Sequence, residues 1–586
     1  MDGLTRATDS AGRSGLACSH SRFLHGRLRV AALVAICGFR SVAGAALPAP
    51  DADNGGLVLP AGFRALVVAD KLGPVRFISV APNGDLYLKK TGRGLYALRD
   101  TNSDGRADVI QTFGNEIGHG TGVAVHNQWL YCSSDDAVYR YRLLPGELVP
   151  TNPPETIVTG LPPGQREHES KAFAFDDQGN LFVEVGCPSN ASGDPDRARG
   201  AKGVDPAGLF LQHGGFWRFR DDVTNQDQLR DGFHFSTGMR HALSVAWQPV
   251  SKSLFVFMMG RDQLNTVDPS NYSAEDNAES PAEEMHQLIA GANFGWPYTY
   301  WDPRRKARML APEFGGDNQK RDDSGKYPNP LVALPAHWAP MQMAFYTGAQ
   351  FPARYRNGAF VASHGSWNRA PLPQAGYKLV FVPFDGRGLP VGNYEVFADN
   401  FAGLPEVRSP RDARYRPCGV TTGPDGSLFV ADSEKGRVWR IIYSGETAVA
   451  PPFSPVTPSP ASNAVITIPP PGEVSNVYQS VCASCHMADG SGVPNLQPAL
   501  RGDAVVTGDP DRLIRVVLEG PARVLPADRP RYSNTMPPLS ALTDEQVASV
   551  LTYVRQQFGG NGSAILPEQV KAVRSQLPNH AAGQTQ

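Results

Sequence analysis

Cys482-Ala483-Ser484-Cys485-His486 is the stretch of this chain whose chemistry reads most directly. Two thiols at that spacing add to the vinyl groups of a haem, and the adjoining histidine becomes the proximal iron ligand. The rival reading, a zinc site or a thiol redox pair, does not account for Met536 in Asn534-Thr535-Met536-Pro537-Pro538. A methionine on a proline-flanked loop can reach the second face of a haem, and His/Met ligation raises its potential. Met487 adjoins the proximal histidine and cannot reach that face. A second candidate is Asp100-Thr101-Asn102-Ser103-Asp104-Gly105-Arg106-Ala107-Asp108, which starts like an EF-hand loop but has Gln111 at position 12. It reads either as a hairpin-tip calcium site through Asp100, Asn102, Asp104 and Asp108 or as a plain Asp-rich turn.

The elements that must position these groups fall into two kinds. Between about 57 and 443 one pattern recurs: Pro82-Asn83-Gly84-Asp85-Leu86-Tyr87-Leu88, Asp177-Gln178-Gly179-Asn180-Leu181-Phe182-Val183 and Pro424-Asp425-Gly426-Ser427-Leu428-Phe429-Val430. Each is a polar glycine turn entering an alternating aliphatic and aromatic strand, which is a hairpin signal. Its repetition over nearly four hundred residues, almost without helical periodicity, predicts an all-β propeller, with a pair of β-sandwiches as the alternative. The abundance of glycine (60) and proline (51) suits many tight turns. Residues 446–471, with eight prolines and few large apolar side chains, read as an extended tether. Beyond it the pattern turns helical. Val474 to Cys482 suits a short helix, and Thr543 caps a second whose Val547, Val550, Leu551 and Val554 share one face, with Gln546 at the capping-box position. The region 474–560 is read as a small all-α domain and 561–586 as a C-terminal tail.

Arg22, Arg27 and Arg29 precede the apolar run 30–37 and the small residues Ala43-Gly44-Ala45. This is the pattern of a secretory signal, so residues 1–45 are expected to be cleaved and the mature protein to be periplasmic. The run is too short to span a bilayer, and no other segment is apolar enough, so no membrane span is expected. Cys18 and Cys37 would leave with the signal, and Cys132, Cys187 and Cys418 could give one disulfide and one free thiol. A net charge of −2 argues against a nucleic-acid partner.

Two resemblances sharpen this. Residues 474–560, with helix, haem motif, methionine loop and final helix, resemble class I cytochrome c domains. Within 57–443, Gly238-Met239-Arg240-His241, Met259-Gly260-Arg261-Asp262, Gly291-Ala292-Asn293-Phe294-Gly295-Trp296-Pro297, Ser363-His364-Gly365-Ser366-Trp367-Asn368-Arg369 and Arg416-Pro417-Cys418-Gly419-Val420 resemble the soluble quinoprotein glucose and sorbosone dehydrogenases. These are six-bladed propellers that bind pyrroloquinoline quinone and calcium, and the sorbosone and pyranose dehydrogenase branch is the nearer one.

The resemblance implies roles. His168 stands where the family has its catalytic base, and an imidazole suits the removal of a sugar hydroxyl proton near pH 7. Arg240 and Arg416 align with arginines that hold the quinone's carboxylates, for which guanidinium forks are matched. His241, Trp367, Asn368, Arg369 and Lys378 are further cofactor candidates. His241 replaces the family's asparagine, and Cys418 stands near a position where the family often has an arginine. Backbone carbonyls of Gly260 and Arg261, with Asp262 or Glu283 and Glu284 close behind, would hold calcium. The implied protein is a quinohaemoprotein that oxidises a sugar or sugar-derived aldehyde and passes electrons through haem c to an external acceptor. Two other readings compete: a non-catalytic carbohydrate- or protein-binding propeller beside an electron-transfer domain, and a propeller hydrolase or lactonase.

Overall fold

The computed structural model describes residues 47–163, 168, 170–445, 498–526, 538–540, 542–560 and 562–577, with Tyr478, Cys482, His486, Gly490, Arg529 and Met536. The expected signal segment, the tether, Cys485, Met487, Glu167, Glu169 and most of the expected 474–482 helix lie outside the described residues.

The propeller expected from sequence is present, with six blades. Each blade is built on four antiparallel strands, the first innermost, and blades two and three add a two-residue parallel strand at the outer edge. The first strands of blades one to six are Val75–Val80, Val123–His126, Phe173–Phe175, Ser244–Gln248, Pro340–Phe345 and Pro417–Thr422. The second strands are Leu86–Lys90, Trp129–Ser133, Asn180–Val185, Ser253–Met258, Ala359–Ser363 and Leu428–Asp432. The three repeated glycine turns join first to second strands in blades one, three and six. Asn83-Gly84 shows why: Gly84 takes φ +94°, a left-handed conformation that costs glycine little. The ring closes because the N-terminal strand Phe63–Ala69 pairs antiparallel with Val438–Tyr443 as the outer strand of blade six.

Polar side chains tie the inner strands together. Gln342 of blade five accepts from the backbone N–H of Ile78 (2.9 Å) and of Val420 (3.1 Å) and donates to the Ile78 carbonyl (2.9 Å), joining blades one, five and six. Ser79 Oγ accepts from Val125 N–H across blades one and two at 2.9 Å. Insertions 259–282 and 288–331 of blade four form a subdomain with its own small core of Leu264, Tyr272, Tyr300 and Met309.

In the C-terminal domain Asp544–Gln557 is the capped helix expected: Thr543 Oγ1 accepts from Gln546 N–H (3.2 Å) and Gln546 Oε1 accepts from Thr543 N–H (3.0 Å). It packs on Pro510–Glu519 through Val547, Val550, Leu551 and Val554. Pro567–Ser575 is also helical, and its Val570 and Val573 are buried in the same core. The stretch read as a tail therefore contributes to the domain, because its apolar pair matches the helical face it covers.

Candidate functional site

Antiparallel pairing puts the start of every first strand and the end of every second strand at the same end of the propeller. Side chains from all six blades meet there in a ring of contacts. Arg76 Nε donates to Thr121 Oγ1 (3.3 Å), and Cys418 Sγ donates to the Arg76 carbonyl (3.0 Å). Arg416 donates to the Gly365 carbonyl (2.7 Å) and lies 2.9 Å from His364 Nδ1. Asn368 Nδ2 donates to Asp262 Oδ1 (2.9 Å), and Arg240 holds Asp262 Oδ2 (2.7 Å) and the Gly260 carbonyl (3.1 Å).

His168 is 3% exposed, with its ring centroid 4.7 Å from that of His241. His241 in turn sits 3.1 Å from Glu184. The Nδ1 of His168 is hydrogen-bonded to the Cys187 carbonyl. A carbonyl only accepts, so Nδ1 carries the proton and Nε2 is the basic nitrogen. Burial, then the positive charge of Arg240, then His241 hold the imidazole's pKa well below its usual value, so it is neutral at pH 7. Burial works against the Asp262 carboxylate, but Arg240, His337 and Arg197 outweigh it and hold that pKa below the usual carboxylate range. Burial pushes Glu283 up to about 7; its carboxylate accepts from the N–H groups of Gly260 and Ala339, both at 2.9 Å.

Not every expected residue faces this ring in the same way. Trp367 is buried beside Asn368 in the same loop. Arg369 donates to the carbonyls of Ala278 (2.9 Å), Ala336 (3.1 Å) and Pro373 (3.2 Å), which makes it a loop brace. Lys378 pairs with Asp399 at 2.5 Å, beyond the outer strand Glu395–Ala398 of blade five. Arg261 forms a buried ion pair with Glu313, and Glu284 pairs with Arg308 at 2.7 Å. The loop 100–108 joins the third and fourth strands of blade one. Asp100 accepts from Ser103 and Gly105 N–H (2.7 and 2.8 Å), Asp104 from Arg106 N–H (2.8 Å) and Asp108 from Thr101 N–H (2.7 Å). Asn102 donates to Asp108 at 3.1 Å. Among the described residues no group of three or more His, Cys, Asp or Glu side chains is arranged to hold a metal. Cys132, Cys187 and Cys418 are buried free thiols, so the expected disulfide is absent among them.

Sequence reasoning missed Arg76, Arg197, His337 and Asn190. Asn190 exchanges two hydrogen bonds with the Asp262 backbone (2.8 and 2.9 Å), and Arg197 lies 3.7 Å from its carboxylate. Arg76, like Arg416, stands at the entry of an innermost strand; that shared position was the available signal.

The C-terminal domain encloses a cavity of about 520 Å³ whose wall includes Cys482, His486 and Met536 with Leu513, Val517 and Leu551. His486 is 8% exposed, and its Nδ1 donates to the Pro498 carbonyl at 2.9 Å. The same tautomer argument leaves Nε2 as the ligating nitrogen, and burial lowers its pKa, so it is neutral. An apolar cavity of this size with a thiol, an imidazole and a thioether on its wall fits a covalently attached haem.

Residues 57–444 match the family described as TrAA12-like, and residues 473–558 match cytochrome c. The chain is 26% identical over 431 residues to a pyrroloquinoline quinone-dependent pyranose dehydrogenase of Coprinopsis cinerea, covering 65% of this chain and 54% of that one. It spans about half the length of the curated relatives it matches. Among solved structures, the holo form of the Coprinopsis cinerea pyranose dehydrogenase PQQ domain superimposes with TM-score 0.53 at 22% identity, covering 66% of this chain and 97% of that one. The calcium structure of a Trichoderma reesei carbohydrate-active enzyme of family AA12 gives 0.54 at 18%, covering 66% and 97%. Both show the propeller fold.

Proposed function

The chain belongs to the TrAA12-like family through its propeller, and from that premise we propose that it is a periplasmic quinohaemoprotein dehydrogenase of sugars or sugar-derived aldehydes. The observation that carries this reading is His168, a buried neutral imidazole whose Nδ1 is committed to the Cys187 carbonyl and which lies near Arg240 and Arg197. A hydrolase would need a nucleophile or a metal-bound water, and a binding module would need no such base. The arginines suit a tricarboxylate: Arg240 precedes the first strand of blade four, Arg416 precedes that of blade six, and Arg76 lies on that of blade one. On this reading the Gly260 and Arg261 carbonyls and Asp262 would hold calcium, the Asp262 carboxylate and the Gly260 carbonyl being shared with Arg240. The quinone supplies the acceptor of the sugar's hydride, and the haem a one-electron outlet to an external acceptor. The protein's own work is to bind and to move a proton: His168 Nε2 takes the hydroxyl proton as the carbon–hydrogen bond breaks, and the Nδ1 bond keeps the ring in the basic tautomer. The test is reconstitution with quinone and calcium, then a panel of aldoses and aldehydes with an artificial acceptor. Oxidation that requires both additions is expected; turnover without quinone, or none with any sugar, would remove the reading.

A further inference from the structure

A pocket of about 480 Å³ opens on blade six at the same end of the propeller, walled by Asp70, Lys71, Gly73, Arg414, Tyr415, Lys435 and Arg437. It is built where two loops approach closely: Gly73 N–H donates to the Lys435 carbonyl (3.1 Å), and Leu72 N–H to that of Gly436 (3.4 Å). A Cβ at Gly436 would meet the Gly73 carbonyl at 2.2 Å, so only glycine lets the walls form. Four cations share the pocket with one carboxylate. Arg437 pairs with Asp70, while Lys71, Arg414 and Lys435 form no ion pair among the described residues. The buried Nε of Arg437 has no hydrogen-bond partner. Three of the cations gather on the buried ring of Tyr415, Arg437 at 4.6 Å, Lys435 at 5.3 Å and Arg414 at 5.4 Å from its centroid.

Three excess positive charges around a recess call for an anion, and arginine forks match carboxylate and sulfate oxygens. The pocket also borders the arginine ring of the site, since Tyr415 precedes Arg416 and Lys435 follows Glu434, which lies 3.4 Å from Arg416. We propose that this pocket is an anion-binding subsite that takes the carboxylate or sulfate group of an acidic saccharide whose neighbouring unit enters the central site. The saccharide part rests on the sugar-dehydrogenase reading; the anion part stands on the pocket alone.

The experiment is isothermal titration of the full-length protein at low salt, which needs no turnover. Digalacturonate is the probe, maltose the neutral control and sodium sulfate the inorganic one. Saturable binding of digalacturonate is expected, weakened at least tenfold in Arg414→Ala/Lys435→Ala and in Lys71→Glu, with any maltose binding unchanged. Digalacturonate that does not bind, or that binds both variants as well as the native protein, overturns the subsite. Sulfate binding as tightly as digalacturonate reduces the pocket to an inorganic anion site and overturns the saccharide part. If the double variant does not fold, Lys71→Glu, at an exposed loop position, decides. Digalacturonate binding in a protein that oxidises no sugar would overturn the dehydrogenase reading and leave the anion site standing.

Discussion

His168 carries the catalytic reading, and its surroundings make a prediction about pH. Its pKa is held well below 6.5 by burial, by the Arg240 charge and by neighbouring His241. The base is therefore already deprotonated at pH 6.5, and the saturated rate of quinone reduction should stay flat from pH 8 to below 6.5 and fall only under more acid conditions. The stability sign follows from the same shift. An unfolded histidine binds its proton near pH 6.5, so the stability that His168 contributes is present above that pH and is lost as pH falls below it. His168→Ala should slow reduction about a hundred- to ten-thousand-fold with quinone affinity little changed, and the deficit should shrink as pH rises. Stopped-flow reduction of the reconstituted variant at saturating sugar decides the matter. A rate within a few-fold of native would take His168 out of the mechanism. At the haem, Met536→Ala should keep the covalent haem but lose the weak absorption near 695 nm (a general mark of methionine–ferric haem bonding); survival of the band would point to another ligand.

At the scale of elements, much of the architecture was legible because the repeat is local. A glycine turn plus an alternating strand is readable within seven residues, and the three quoted instances are first-to-second-strand turns of three blades. The capped helix Asp544–Gln557 was legible for the same reason, since its cap, capping box and apolar face lie within one segment. The central site was only partly legible, because it is assembled from six blades with no common sequence spacing. Arg240 and Arg416 carried family motifs, whereas Arg76 and Arg197 carried none, and nothing local told that Arg369 would brace carbonyls or that Lys378 would turn to Asp399. The contacts between first strands are equally non-local, and Gln342 is the one to test. Gln342→Leu leaves the buried N–H groups of Ile78 and Val420 without acceptors, at a cost of about 1–3 kcal/mol. A urea midpoint shifted by that amount is expected, with the far-ultraviolet spectrum retained. An unshifted midpoint would show that water replaces the side chain.

At the scale of the whole molecule, we propose that residues 446–471 serve as a tether between the propeller and the cytochrome c domain. Its eight prolines are the sequence ground for this; an extended polyproline stretch of that length would reach on the order of 80 Å at about 3.1 Å per residue. A tether of that kind would keep its two ends at an effective concentration near the millimolar range without fixing their geometry. Electron transfer from propeller to haem would then be first order in the intact chain, independent of protein concentration. A protease site placed within 446–471 changes this without altering either site. After cleavage the propeller should still reduce a small artificial acceptor at its native rate, because His168, Arg240 and Arg416 all lie before the cut. Reduction of the haem should become second order, falling in proportion to dilution and, at micromolar protein, dropping about a hundred-fold or more. Persistence of a concentration-independent rate would mean that the two domains stay docked through a surface of their own and that the tether is dispensable. A propeller fragment that precipitates, or that fails with the small acceptor, would mean that the C-terminal region belongs to the propeller's fold and that the division into two units is wrong.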